Sequence, residues 1–111
     1  MHEMSIACSI VDIAREQARA AGARVVNTVE IEVGRLAGVE VDSLRFCWDA
    51  AREGAAAGAE LVIHEIPGRG FCPRCGTEAE VDFHVALCPG CEGGLRILQG
   101  RELRVRCLNV D

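Results

Sequence analysis

The chain has 111 residues, half of them hydrophobic, and its 17 acidic and 12 basic side chains give a net charge of −5. This length suits one domain, or one domain with a small insert. The acidic excess disfavours binding to a phosphate backbone, and the lack of Tyr beside only one Trp leaves few platforms for stacking on bases, so we expect no nucleic-acid partner.

Membrane and export signals are not evident in the sequence. No apolar run approaches the length of about 20 residues that spans a bilayer, and the first residues do not resemble a signal peptide. We therefore expect a cytoplasmic protein without membrane contact. Because cytoplasmic thiols stay reduced, the seven cysteines favour metal binding over disulfides, and an odd number cannot all pair.

Two helices are predicted from apolar residues at helical spacing. The first runs from Met4 to Ala21 and stops at Gly22. Its predicted buried residues are Ile6, Ala7, Ile10, Val11, Ile13, Ala14 and Ala18. The second is expected to be capped by Asp42 or Ser43. Its predicted core-facing residues are Leu44, Cys47, Trp48 and Ala51.

Three strands are predicted around these helices. The segments VVNTVEIEVG, AELVIHEI and RELRVRCLNV show the alternation or the composition of strands. The residues predicted to face inward are Val29, Ile31 and Val33 in the first strand and Leu103, Val105 and Cys107 in the last. If the last strand neighbours the first, Arg104 and Arg106 are placed to oppose Glu30 and Glu32 across the sheet.

The order of these elements predicts an α/β fold, in which two helices lie on one face of a small three-stranded mixed sheet. Residues 70–98 differ from the rest, because they contain few large apolar residues and many Gly, Pro and Cys. We therefore predict an α/β domain formed by residues 1–69 and 99–111. A zinc-ribbon-like domain, residues 70–98, is inserted before the last strand.

Two CxxC pairs in that insert, in FCPRCG and LCPGCEGG, predict a metal site. They contain Cys72, Cys75, Cys88 and Cys91, separated by twelve residues between the pairs. Two such turns complete the closed tetrahedral four-sulfur shell of structural zinc, which leaves no open position for catalysis. A rubredoxin-like iron site has the same geometry and remains an alternative, whereas unconnected thiols and a redox CxxC are disfavoured.

The remaining histidines and cysteines have simpler interpretations. His84 precedes Cys88 by four residues and could replace one cysteine ligand, but a surface role is favoured. His64 is interpreted as a hydrogen-bonded sheet residue. The cysteines expected to behave as small buried hydrophobic residues are Cys8, Cys47 and Cys107.

The first residues, MHE, form a second candidate metal site. Removal of an initiator Met generally needs a small second residue, so we expect Met1 to remain beside His2. An α-amine, the following backbone nitrogen and an imidazole can chelate one ion in the tetragonal geometry that Ni(II) or Cu(II) accepts, with Glu3 as a further donor. The alternative is that Glu3 only complements the dipole of a helix N-terminus and that His2 is a solvated end residue.

Segments along essentially the whole chain resemble the HypA/HybF family of nickel metallochaperones for [NiFe]-hydrogenase maturation. In chain order these segments are MHEMS, EIEVG, VEVDSLRFCWDA, GAELVIHEIPGRGFCPRCG, CPGCEGG and GRELRVRCLNV. The resemblance implies nickel at Met1, His2 and Glu3, with Glu40 approaching the ion, and structural zinc at the four cysteines of the CxxC pairs.

The resemblance also implies a carrier and not an enzyme. Its partners would be a HypB-type GTPase and the hydrogenase large subunit, and some relatives also serve urease. We expect a monomer or a weak homodimer. The alternative function is a zinc-ribbon protein-interaction module without nickel delivery.

Overall fold

The structure is a computed structural model that describes residues 2–82 and 86–111, so His84 and Met1 lie outside the described residues. The helices are α1 (Glu3–Ala20) and α2 (Val41–Ala51), with a 3-10 turn at Gly54–Ala56. The strands are β1 (Val26–Gly34), β2 (Glu60–Ile66), β3 (Arg69–Cys72), β4 (Thr77–Glu80), β5 (Arg96–Gln99) and β6 (Leu103–Val110). Neither described helix has the length and apolar character needed to cross a membrane.

The chain divides into two compact units. The first unit comprises Met1–Ile31, Val39–His64 and Arg104–Asp111, and the second comprises Glu32–Gly38 and Glu65–Leu103. Each unit contains one of the two candidate metal sites.

Helix α1 forms as predicted and buries one apolar stripe. The buried residues are Ala7, Ile10, Val11, Ala14 and Ala18. Ile13 remains 44% exposed, against the prediction, because the helical repeat places it more than a quarter-turn from the centre of that stripe. The helix ends before Gly22, whose φ of 69° is easily adopted by glycine, and Ala23 N–H bonds back to the Ala18 carbonyl at 2.9 Å.

Helix α2 begins at Val41, two residues before the start that a cap at Asp42 would give, so the predicted cap at Asp42 or Ser43 is wrong. Glu40 is the N-cap, and its carboxylate accepts a hydrogen bond from the backbone N–H of Asp42 at 3.2 Å. Leu44 and Trp48 are buried as predicted. The Trp48 indole N–H donates to the Ala59 carbonyl at 3.0 Å, which fixes the helix against the segment that leads into β2.

The main sheet has the strand order β2-β1-β6, and its central strand buries Val29, Ile31 and Val33 as predicted. Strands β1 and β2 run parallel, because Arg35 N–H, just after β1, bonds to the Ile66 carbonyl at the end of β2. Strand β6 runs antiparallel to β1, since Val25 and Asp111 exchange backbone hydrogen bonds. The predicted mixed sheet, and the neighbouring position of the first and last strands, are therefore confirmed.

The second unit contains a small antiparallel sheet with the order β4-β3-β5. No strand was predicted here, since strands of four residues that contain Gly and Cys are too short to show a clear alternation. Two glycines allow close backbone packing within this unit. A Cβ on Gly34 would lie 1.9 Å from the Gly100 carbonyl oxygen, and one on Gly68 would lie 2.2 Å from the Val81 carbonyl oxygen.

Candidate metal centres

The four cysteines of the CxxC pairs converge on one point in the second unit. The sulfurs of Cys72, Cys75, Cys88 and Cys91 all lie within 4.8 Å of one another. Cys72 and Cys88 are buried, Cys91 is half-buried and Cys75 is exposed. One edge of the cluster is therefore open to solvent, and the other is enclosed by the small sheet.

Each CxxC pair lies in a tight turn that positions its sulfurs. The first turn connects β3 to β4, where Cys72 is the register partner of Thr77. The second turn lies between Leu87 and Gly94, which form an isolated antiparallel bridge. Two hairpin-like turns therefore hold the two pairs of thiols, one pair in each turn.

The two turns share the same backbone geometry. Gly76 N–H bonds to the Cys72 carbonyl and Glu92 N–H bonds to the Cys88 carbonyl, both at 2.8 Å. The residue after the second cysteine is left-handed in each turn, with φ of 68° at Gly76 and 60° at Glu92. Glycine adopts this conformation easily, whereas a residue with a Cβ is strained in it.

The sulfur positions fit a tetrahedral zinc ion. Four Zn–S bonds of about 2.3 Å place neighbouring sulfurs about 3.8 Å apart. The Cys72 and Cys91 sulfurs are 3.6 Å apart, which matches such an edge. Backbone N–H groups donate to three of the sulfurs, from Cys75 to Cys72 at 3.3 Å, and from Gly90 to Cys88 and Gly93 to Cys91 at 3.4 Å. These bonds stabilise the negative charge that four thiolates carry.

The thiols also influence one another's protonation. Hydrogen bonds with Cys91, Cys72 and Cys88 raise the pKa of Cys75 to about 12. Backbone hydrogen bonds, first from Cys91 and then from Gly90, lower the pKa of Cys88 to about 7. Four thiolates in one place therefore need a cation, and a divalent ion with a closed sulfur shell supplies that charge.

The amino-terminal candidate residues lie in the first unit. His2 is the N-cap of α1 and is exposed, and its side chain makes no capping hydrogen bond. Glu3 is half-buried, and one of its carboxylate oxygens accepts a hydrogen bond from the backbone N–H of Glu40 at 3.3 Å. The structure thus brings Glu40 beside Glu3, although the two are 37 positions apart in the sequence.

An open concavity borders these residues. Its lining consists of His2, Glu3, Met4, Asp42, Ser43, Phe46 and Cys47. Phe46 is 76% exposed, which is unusual for a large apolar side chain. No local sequence pattern places Cys47 or Phe46 near the N-terminus, because their proximity depends on how α1 and α2 pack.

His64 is a hydrogen-bonded sheet residue, as predicted, with its Nε2 2.8 Å from Glu30 Oε1. The prediction that Cys8, Cys47 and Cys107 are buried is wrong, since Cys8 and Cys107 are exposed and Cys47 is only half-buried. Cys107 instead donates its thiol hydrogen to Glu30 Oε2 at 3.1 Å, so it lies on the same side of the sheet as Glu30. The prediction that β6 turns these residues inward is therefore wrong for Cys107, and also for Leu103, which is 39% exposed.

The α/β fold with a four-sulfur site defines a small protein with a zinc-ribbon-like motif, and comparisons with known proteins make the class specific. A family model described as "Hydrogenase/urease nickel incorporation, metallochaperone, hypA" matches residues 1–110. The hydrogenase maturation factor HypA of Chlorobium luteolum is 49% identical over all of this chain and 97% of its own length. HypA of Geobacter metallireducens is 44% identical over the full length of both proteins.

A solved structure agrees with this assignment at the level of the fold. The solution structure of the Ni metallochaperone HypA from Helicobacter pylori matches with a TM-score of 0.70 and 21% identity, over 99% of this chain and 97% of that one. The chain belongs to the HypA family of hydrogenase maturation factors and nickel metallochaperones.

Proposed function

We propose that this protein binds Ni(II) through Met1, His2 and Glu3 and delivers it during maturation of [NiFe]-hydrogenase. The observation that carries the proposal is the position of His2. It lies exposed at the N-cap of α1, with an imidazole that is not used to cap the helix. An imidazole in this position can bind and release an ion without disturbing the core.

The start of α1 supports the same chemistry through its backbone. The first N–H groups of an α-helix have no carbonyl partner within the helix, so ligation by the backbone nitrogen of residue 2 would break no helical hydrogen bond. A backbone nitrogen ligates only after it loses its proton, and Ni(II) is well suited to such tetragonal nitrogen shells. Nickel binding should therefore weaken as the pH falls.

Glu3 and Glu40 add negative charge beside that chelate. The hydrogen bond from Glu40 N–H uses one oxygen of Glu3, and the Glu40 cap uses one oxygen of its own carboxylate. Each carboxylate has a second oxygen that can take part in ion binding. We propose Glu3 as a ligand and Glu40 as a weaker contributor.

The four cysteines complete the proposal as the zinc ligands. A closed sulfur shell has no open position, so zinc here stabilises the insert of residues 70–98 and the α/β domain of 1–69 and 99–111 carries the nickel site. We further propose that the zinc site influences nickel coordination. Cys75→Ala should then change the nickel spectrum as well as the zinc content, and an unchanged spectrum would contradict the coupling.

The proposed partners follow from family membership. A HypB-type GTPase would handle nickel with this protein, and the hydrogenase large subunit would receive it. Because the matched family description names both hydrogenase and urease, urease is a second possible recipient. The protein would act in the cytoplasm as a monomer or weak homodimer, as a carrier with no catalytic step of its own.

The test is a nickel titration of untagged, zinc-loaded protein in the presence of a competing chelator. We expect one tightly held equivalent, which is lost in His2→Ala and in a chain extended by one residue at the amino terminus. Ser5→Ala, on the same exposed turn, is the matched control and should bind normally. Equal affinity in the extended protein would rule out the amine as a ligand.

A zinc-ribbon interaction module without nickel delivery is the alternative. It would bind its protein partner equally well after His2→Ala, and the native chain would hold no nickel against the chelator. The titration and a pull-down with a HypB-type GTPase together distinguish the two functions.

A further inference from the structure

Three side chains of metal-ligating types lie together on the main sheet, and none of them belongs to the two sites described above. Glu30 lies on the central strand β1, His64 on β2 and Cys107 on β6. The imidazole Nε2 is 2.8 Å from Glu30 Oε1, and the Cys107 sulfur is 3.1 Å from Glu30 Oε2. A carboxylate, an imidazole and a thiol therefore share one patch of the first unit.

The chemistry of these groups matches borderline transition metals. Thiolate, imidazole and carboxylate are the three side-chain ligand types of zinc sites, and cobalt(II) accepts the same donors. The His64 and Glu30 side chains are 35% and 34% exposed, and Cys107 is exposed, so an ion can reach all three from solvent. We propose that Glu30, His64 and Cys107 form an additional binding site for a divalent ion such as Zn(II) or Co(II).

The present contacts indicate how such an ion would enter. The thiol of Cys107 donates its hydrogen to Glu30, so an ion that binds the sulfur takes the place of that proton and releases it to solvent. The two neighbours contact different oxygens of the carboxylate, and one ion therefore needs the imidazole and the thiol to swing together over Glu30. Strands β2 and β6 flank β1, so they lie about 10 Å apart, and the imidazole and the thiol reach towards Glu30 from opposite sides. Their side chains are partly solvated, so the rotation takes place on the exposed surface.

The negative charge of Glu30 favours a cation at neutral pH, whereas the proton on Cys107 competes with it. The hydrogen bonds from Cys107 and His64 lower the pKa of Glu30, and the Arg106 charge contributes a smaller effect in the same direction. The hydrogen bond to Glu30 raises the pKa of Cys107, so the thiol keeps its proton until a metal ion displaces it. Occupancy should therefore increase with pH.

Cobalt(II) is the probe for the test, because thiolate ligation gives it a charge-transfer band. The protein is the full chain, zinc-loaded and carrying His2→Ala, so that both other sites are filled or disabled. We expect a thiolate-to-cobalt band at one equivalent, its loss in Cys107→Ser with an affinity at least tenfold weaker, and a similar weakening in Glu30→Gln. Cys8→Ser, an exposed cysteine elsewhere, is the matched control and should keep the band.

Retention of zinc is measured in every sample, since exchange at the four-cysteine site would also give a thiolate band. A band that survives Cys107→Ser, or the lack of any band in the parent protein with its zinc retained, would overturn the proposal. Circular dichroism of Cys107→Ser checks that this exposed position has not affected folding. The outcome is independent of nickel binding at the amino terminus, which is already disabled.

Discussion

The carboxylate of Glu3 accepts a hydrogen bond from the backbone N–H of Glu40 at 3.3 Å. This contact connects the first turn of α1 to the residue that caps α2. Glu3 therefore has a structural partner in addition to its proposed role as a nickel ligand. The two roles depend on different properties of the side chain, namely an acceptor oxygen and a negative charge.

Glu3→Gln separates these properties, because an amide oxygen still accepts a hydrogen bond but carries no charge. We expect nickel affinity to fall about tenfold or more, which corresponds to about 1.4 kcal/mol. The free energy of unfolding should change by less than about 0.5 kcal/mol, as is usual for partly exposed positions. Calorimetric titration and urea unfolding measure the two effects. Unchanged nickel affinity would limit Glu3 to its structural contact.

Glu92 is strained in the second CxxC turn, since its φ of 60° lies in the left-handed region. Glu92→Gly should therefore stabilise the zinc-loaded protein by about 1 kcal/mol. Gly76 occupies the equivalent position in the first turn, and Gly76→Ala should destabilise by a similar amount. Chemical denaturation at constant zinc concentration measures both. Stabilisation by both substitutions would contradict the shared geometry of the turns.

Gly34 allows two segments of the second unit to pack backbone against backbone. A Cβ here would lie 1.9 Å from the Gly100 carbonyl oxygen, so Gly34→Ala forces the backbone to move. We expect a loss of stability of roughly 2–3 kcal/mol, at the upper end of overpacking effects. Gly58→Ala is the control, because its Cβ meets nothing within 4 Å, and its stability should stay within about 0.5 kcal/mol of the parent.

The second unit should depend on its metal ion for folding. A sheet whose strands have only four residues each buries little apolar surface. Metal binding commonly supplies the folding free energy of such units. Zinc removal, or Cys72→Ser at the buried edge of the cluster, should accelerate amide exchange in β3, β4 and β5 far more than in α1. Cys8→Ser tests for a general effect of losing a thiol, and exchange that rises equally in every element would contradict this prediction.

The acid stability of the first unit should depend on Glu30. Its pKa is below the ordinary value of 4.5, chiefly because Cys107 donates a hydrogen bond to it. A carboxyl group with a lower pKa in the folded chain stabilises the fold above its unfolded pKa, and that contribution is lost as the pH falls through the folded pKa. Cys107→Ala should therefore raise the NMR-measured pKa of Glu30 and reduce the loss of stability below pH 4.5. An unchanged pKa would show that the thiol does not donate this bond.

The hydrophobic periodicity of the sequence predicted the main elements of the α/β fold. Val29, Ile31 and Val33 alternate clearly, so β1 could be placed with its correct buried face. Two CxxC pairs at a fixed spacing likewise predicted a cluster that the structure brings together. These signals are local, and they depend on few assumptions about tertiary packing.

Other features depend on packing and could not be predicted in this way. Glu40 as the cap of α2 is an uncommon choice, and the typical capping residues Asp42 and Ser43 stand close by. The exposure of Cys107 depends on the register of β6, because a shift of one residue exchanges the two faces of a strand. The contact between Glu3 and Glu40 required two helix starts to meet, which no local pattern reveals.

The hydrogen bond between Cys107 and Glu30 has a consequence for oxidation of the protein. Thiolates react with peroxides and disulfides, whereas thiols do so slowly. Because the neighbouring carboxylate raises the pKa of Cys107, this exposed cysteine contains less thiolate at neutral pH than an unperturbed cysteine. Glu30 thereby slows mixed-disulfide formation at the sulfur of Cys107, and removal of that carboxylate should make the reaction faster.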